Sequence, residues 1–190
     1  MSIIHRTTLR PTKLELLTDW LPKQSWFEGS GSPELTKAGG FRLDDPDGEV
    51  GMEFMAVTDE SGARPVTYHV PMTYRGAPLP DAAEDALIGT LVHGVLGERW
   101  VYDGARDPLL VGQLAALLRG EVPAHAQSVD GALDPAVRVR LDGAAASRPQ
   151  IVRVLEPGSS VPDAPGEVGA EWRRADGSVV RGVFVTVRAD

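Results

Sequence analysis

The chain reads as an α+β protein: a curved, mostly antiparallel β-sheet packed by one or two helices, with a β-rich C-terminal tail. Three observations predict this. Most apolar runs are short and alternate with period two, as in "PVTYHVPMTYRG" (65–76). Only two stretches carry helical spacing together with a cap. The final segment carries a hairpin signal, Asp176-Gly177, read as a type I′ turn.

Taken in order, "IIHRTTL" (3–9) is β-rich. "PTKLELLTDWL" (11–21) is a helix, because Thr12 and Glu15 have capping-box spacing and Leu14, Leu17 and Leu21 recur on one face. Leu16 and Trp20 widen that face, and Pro22 stops the helix. "ELTKAGGFRLD" and "VGMEFMAVTD" are strands. In the next strand Val66, Tyr68, Val70, Met72 and Tyr74 alternate with Thr67, His69, Pro71, Thr73 and Arg75, which predicts one buried face. Pro71 has no N–H to give a ladder, so an edge strand or a bulge is expected. "DALIGTLVHGVLG" and "ERWVYDG" form a further pair of strands. Asp107 then caps the best helix, with Pro108 at its first position, a stripe of Leu110, Leu114, Leu117 and Leu118, and Gly120 as its stop. The expected organisation is a first domain over 1–120, a linker or mobile loop over 121–149, and a hairpin-rich tail over 150–190.

Composition narrows the function. The chain has 190 residues, no cysteine and a net charge of −8, and the acids concentrate between residues 44 and 120. Disulfides and thiolate metal sites are excluded, and a nucleic-acid partner is disfavoured because phosphate backbones need a basic surface. No apolar run is long enough to span a bilayer and no signal peptide opens the chain, so a cytoplasmic protein without a membrane partner is expected. The only lysines are Lys13, Lys23 and Lys37, so no lysine is present in the later strands.

Two tryptophans, a phenylalanine and a Leu-Pro step crowd into "WLPKQSWFEG". Trp20, Leu21, Pro22, Gln24, Trp26, Phe27 and Gly29 resemble the W-L-P-x-Q-x-W-[FY]-x-G motif of the N-terminal cap domain of bacterial maltokinases. Tyr68 and Pro71 in "TYHVPMTY" resemble that family's Y-x-[LV]-P strand. Tyr102, Asp103, Asp107 and Pro108 resemble its Y-D-x-x-x-D-P segment, and the order agrees over roughly residues 14–120. Maltokinases phosphorylate maltose with ATP on a two-lobed body that follows the cap. The residues after 120 are too few for a kinase C-lobe, and the tail resembles at most a remnant of an N-lobe sheet.

The residues of phosphoryl transfer are missing from the sequence. There is no strand lysine after Lys37, no His-x-Asp loop, no D-F-G-like metal motif and no Gly-Lys-Ser/Thr. His5, His69, His93 and His125 are dispersed, without metal-ligand spacing. The expectation is a non-catalytic interaction or regulatory protein of α-glucan, trehalose or maltose metabolism, with no cofactor or metal. Its partner would be a maltokinase, a trehalose synthase, another glucan enzyme or a second copy, docking at the Pro71 edge or the acidic middle segment. Two alternatives stay open. One is a small carbohydrate-binding module that stacks sugar on Trp26, Phe27, Trp100, Tyr102 or Trp172. The other is an enzyme of unrecognised type, marked by a pocket with convergent polar groups.

Overall fold

The computed structural model describes residues 8–127, 129, 131–142, 147–160 and 164–189. Most of the predicted first strand, with His5, lies outside them, and only Leu9–Arg10 is seen as β1. Helix α1 (Lys13–Trp20) starts at the predicted capping box. Thr12 Oγ1 accepts from Glu15 N, and Thr12 N donates to the Glu15 carboxylate. Pro22 does not end the chain's turning at once, because Leu21–Lys23 continues as one 3₁₀ turn. Strands β2 (Leu35–Leu43), β3 (Gly51–Asp59), β4 (Val66–Arg75), β5 (Leu87–His93) and β6 (Gly97–Asp103) follow. Helix α2 (Pro108–Leu118) has Asp107 as its cap, with Oδ1 accepting from Leu109 N. The remaining strands are β7 (His125–Ala126), β8 (Arg138–Leu141), β9 (Ser147–Ile151), β10 (Gly166–Arg173) and β11 (Val179–Ala189).

All paired strands form one mostly antiparallel sheet, ordered β1-β5-β6-β4-β3-β2-β10-β11-β9, with β7 on β2 and β8 on β10. The architecture is therefore α+β with a curved, unclosed sheet. The tail joins it where Trp172 of β10 lies opposite Gly39 of β2. Beyond β9 the chain reaches across to β4. Val152 N donates to Phe184 O, His69 N to Arg153 O, and Leu155 N to Thr67 O.

That crossing explains a departure from expectation. Strand β4 is interior and buried on both faces, and Pro71 itself is buried. Residues two apart in a strand present their N–H groups to the same side. On that side His69 is held by Arg153, while Thr73 stands opposite Tyr102 of β6. Pro71 falls at the changeover between these neighbours, where a missing N–H costs no ladder bond.

The curvature makes two cores. Phe41, Phe54, Trp172, Phe184, Leu110 and Leu114 fill one, beneath α2. Leu17, Trp20, Met55, Val57, Tyr68 and Val70 fill the other, beneath α1. Strand β3 serves both by alternation, sending Met52, Phe54 and Ala56 one way and Met55 and Val57 the other. The final hairpin also differs from its predicted turn. Only Gly177 (φ +83°) has a positive φ there, and Gly177 N donates to Arg174 O while Arg174 N donates to Ser178 O. A type I turn followed by a left-handed glycine replaces the type I′ turn, which needs two positive φ values.

Candidate functional site

The family-like aromatics pack together around Tyr68. Trp20 meets Trp26 edge-on at 5.8 Å, and Tyr68 lies 5.9 Å from Trp26 and 5.5 Å from Phe27. The Arg153 guanidinium sits 4.9 Å over the Trp26 ring while donating to Asp103 Oδ2 at 2.6 Å. Leu21 and Tyr68 are fully buried, and the Tyr68 hydroxyl accepts from Glu28 N at 3.0 Å. Gln24 Nε2 returns to Trp20 O at 3.2 Å, which holds the end of α1. A side chain at Gly29 would strike the Phe27 ring. Pro22 is exposed.

The structure gathers Trp26 and Phe27 around Tyr68 but leaves Trp100 and Tyr102 apart on β6, opposite Arg75 and Thr73. Tyr102 is buried, its hydroxyl accepting from Leu79 N at 3.0 Å, and Trp172 is buried in the first core. Asp103 accepts from Ala105 N, turning the chain toward Asp107 and Pro108. His69 lies between Phe54 and Phe184, 4.6 Å from the latter, and His93 lies in the cleft described next.

None of the five candidate stacking residues lines the main cleft. That cleft, about 870 Å³, opens beside the start of α1, between β3, β4 and the β5–β6 hairpin. Its floor is Glu53, which β3 points toward α1 in phase with Met55 and Val57. The capping box fixes Lys13 at the first position of α1, and its ammonium closes on Glu53 Oε2. Tyr74 of β4 donates to the same oxygen at 2.7 Å. Gln127 Nε2, just past β7, donates to Oε1 at 3.0 Å, with Lys37 of β2 at 4.0 Å. Lys13 also stands 5.0 Å over the Tyr74 ring.

Burial alone would raise the Glu53 carboxyl, but Lys13, Lys37 and the Tyr74 hydroxyl outweigh it and hold it below its ordinary value. Burial lowers the Lys37 ammonium, partly offset by Glu53. Burial, then Glu53, push the Tyr74 phenol well above its usual range. A carboxylate with both oxygens engaged and kept ionised is a poor proton acceptor, so Glu53 anchors the floor while Lys13 keeps further donors.

This network was not found from the sequence. The available signals were a lone glutamate inside the apolar strand "VGMEFMAV" and the scarcity of lysine, two of three lysines converging on that glutamate. Among the described residues no group of three or more His, Asp or Glu side chains is placed to hold a metal ion, and no helix is long and apolar enough to cross a membrane.

No curated protein matches the chain. The maltokinase N-terminal cap domain family matches residues 20–107. That span begins at Trp20, whose ring seats α1 on the sheet, and ends at Asp107, which caps α2. The stretch of this chain that is similar to the maltokinase N-terminal cap domain family thus runs from the end of α1 to the start of α2.

Proposed function

We propose that the chain is a non-catalytic docking module of maltokinase-cap type that serves α-glucan, trehalose or maltose metabolism in the cytoplasm. The family similarity supports the metabolic setting. The observation that carries the docking role is the β5–β6 hairpin, where Val92, Val95 and Leu96 are 56%, 62% and 45% exposed. Three large apolar side chains at one tip cost solvation in the free chain and suit burial against a partner. This tip takes the place of the Pro71 edge as the docking element, because Pro71 is enclosed by Arg153 and β6.

The partner in this reading is a maltokinase, a trehalose synthase, another glucan enzyme or a second copy. The test is affinity capture of the tagged chain from its native cytoplasm, beside V95D and L96D variants. Recovery of such an enzyme by the wild type, abolished by either variant, is the expected result. Recovery unchanged in both variants, or self-association and enzyme capture both absent, would overturn it.

A further inference from the structure

The cleft carries more positive charge than its floor requires. Of the lining cations Lys13 pairs with Glu53, Arg42 lies 3.8 Å from Asp44 and Arg75 pairs with Asp107, while Arg99 makes no ion pair among the described residues. Glu53 presents no open oxygen, since Gln127, Tyr74 and Lys13 engage both. Arg75 is already committed to Asp107, which grips it from outside the lining at 2.7 Å on two nitrogens. The volume of this open cleft, about 870 Å³, falls within the range of sites for small organic molecules.

Arg99 is the group best placed to meet a ligand. Its one hydrogen bond among the described residues is a long one, Nη1 to Glu98 O at 3.4 Å. The guanidinium lies against Gly76, where an added Cβ would come within 2.6 Å of Nη1. Gly76 directly follows β4, and the absence of a side chain there gives the Arg99 guanidinium its place on the cleft wall. Guanidinium forks match the paired oxygens of a phosphate. Leu91, Leu96, Pro78 and Pro80 supply apolar surface beside that wall, and Gln127 and His93 supply polar edges.

We propose that this cleft binds a small organic phosphate, a phosphomonoester on a polar body of sugar or nucleoside size, with Arg99 as the principal phosphate ligand and Lys13 as the second cation of the site. The cleft borders the docking tip and shares Leu96 with it, so V95D, outside the lining, is the variant that separates phosphate binding from partner docking.

The experiment is calorimetric titration of the whole chain at low salt with inorganic phosphate, a hexose monophosphate, a nucleoside monophosphate and the two unphosphorylated counterparts. One organic phosphate is expected to bind, with its unphosphorylated counterpart at least about tenfold weaker, and the two bodies tell sugar from nucleoside. Arg99→Ala is expected to weaken binding about tenfold. Gly76→Ala, which displaces the guanidinium but keeps its charge, weakens it severalfold. Arg106→Ala, at an exposed pair with Asp85 outside the cleft, leaves it unchanged. Unliganded melting temperatures verify folding, and Arg99→Lys replaces Arg99→Ala if the latter unfolds. The proposal is overturned if no phosphate binds at about 10 mM, well above common metabolite affinities. It is also overturned if the Arg99 and Gly76 variants bind as wild type, or if inorganic phosphate alone binds.

Discussion

Arg75 and Asp107 meet side-on across 32 residues of chain, Nε and Nη2 each 2.7 Å from a carboxylate oxygen. The same carboxylate accepts from Thr73 Oγ1 at 2.7 Å and caps α2 through Leu109 N. One side chain, fully buried, thus starts a helix and ties it to β4. Burial works to raise its carboxyl, but Arg75, Thr73 and Leu109 N–H together hold it below the ordinary value. Asp107→Ala removes the cap and strands Arg75 and Thr73, so a loss of about 3 kcal/mol is expected in urea unfolding. Asp107→Asn keeps an acceptor for the cap and costs less.

His69 gives a pH signature. Burial among Phe54 and Phe184, reinforced by Arg153, lowers its imidazole to about 3, while Nδ1–H donates to Val152 O at 3.1 Å. The unfolded chain takes up a proton near pH 6.5 and the folded chain does not, so stability falls as pH drops from about 6.5 toward 3. Between pH 7 and 5 the loss is about 2 kcal/mol. Chemical denaturation at both pH values measures it, and His69→Gln is expected to flatten the difference.

The Glu53 floor acts at lower pH. Its lowered carboxyl contributes stability above the unfolded value of about 4.5, and that contribution is lost as pH falls through the folded value. Lys13→Met removes the strongest partner and is expected to cost about 1–3 kcal/mol at neutral pH, with acid unfolding moved to higher pH. Lys13→Met combined with Glu53→Gln recovers part of that loss. An unchanged acid midpoint in Lys13→Met would show that the ion pair contributes little.

The tryptophans offer a direct check on sugar stacking. Trp20 and Trp172 are buried, and Trp26 is covered by Arg153 and Tyr68. Maltose at tens of millimolar is expected to leave tryptophan emission unchanged. Saturable quenching would place a ring in contact with sugar, with half-buried Trp100 the first to substitute.

Both helix starts were legible in the sequence because capping is local: Thr12 with Glu15, and Asp107 with Pro108, lie within one turn of what they hold. The α+β class and the presence of strands β2 to β6 were legible in the same local way, the alternation over 66–75 being the clearest case. Pro71 was misread because its neighbour on one side is Arg153, which local pattern cannot pair with it. The cleft floor is hidden for the same reason, since Lys13, Lys37, Tyr74 and Gln127 reach Glu53 from four separate segments. The hairpin at Asp176-Gly177 was located correctly, but its turn type depends on backbone angles that a dipeptide does not determine.

The run from Val152 to Leu155 holds β11 by one residue and β4 by the next few. It thereby works as a clasp between the first and last parts of the sheet. A clasp of this kind makes unfolding collective: the amides of His69 and Leu155 cannot meet solvent until both ends of the sheet part. Their hydrogen exchange is therefore expected to be as slow as the slowest amides of β3, with cap and tail opening as one unit.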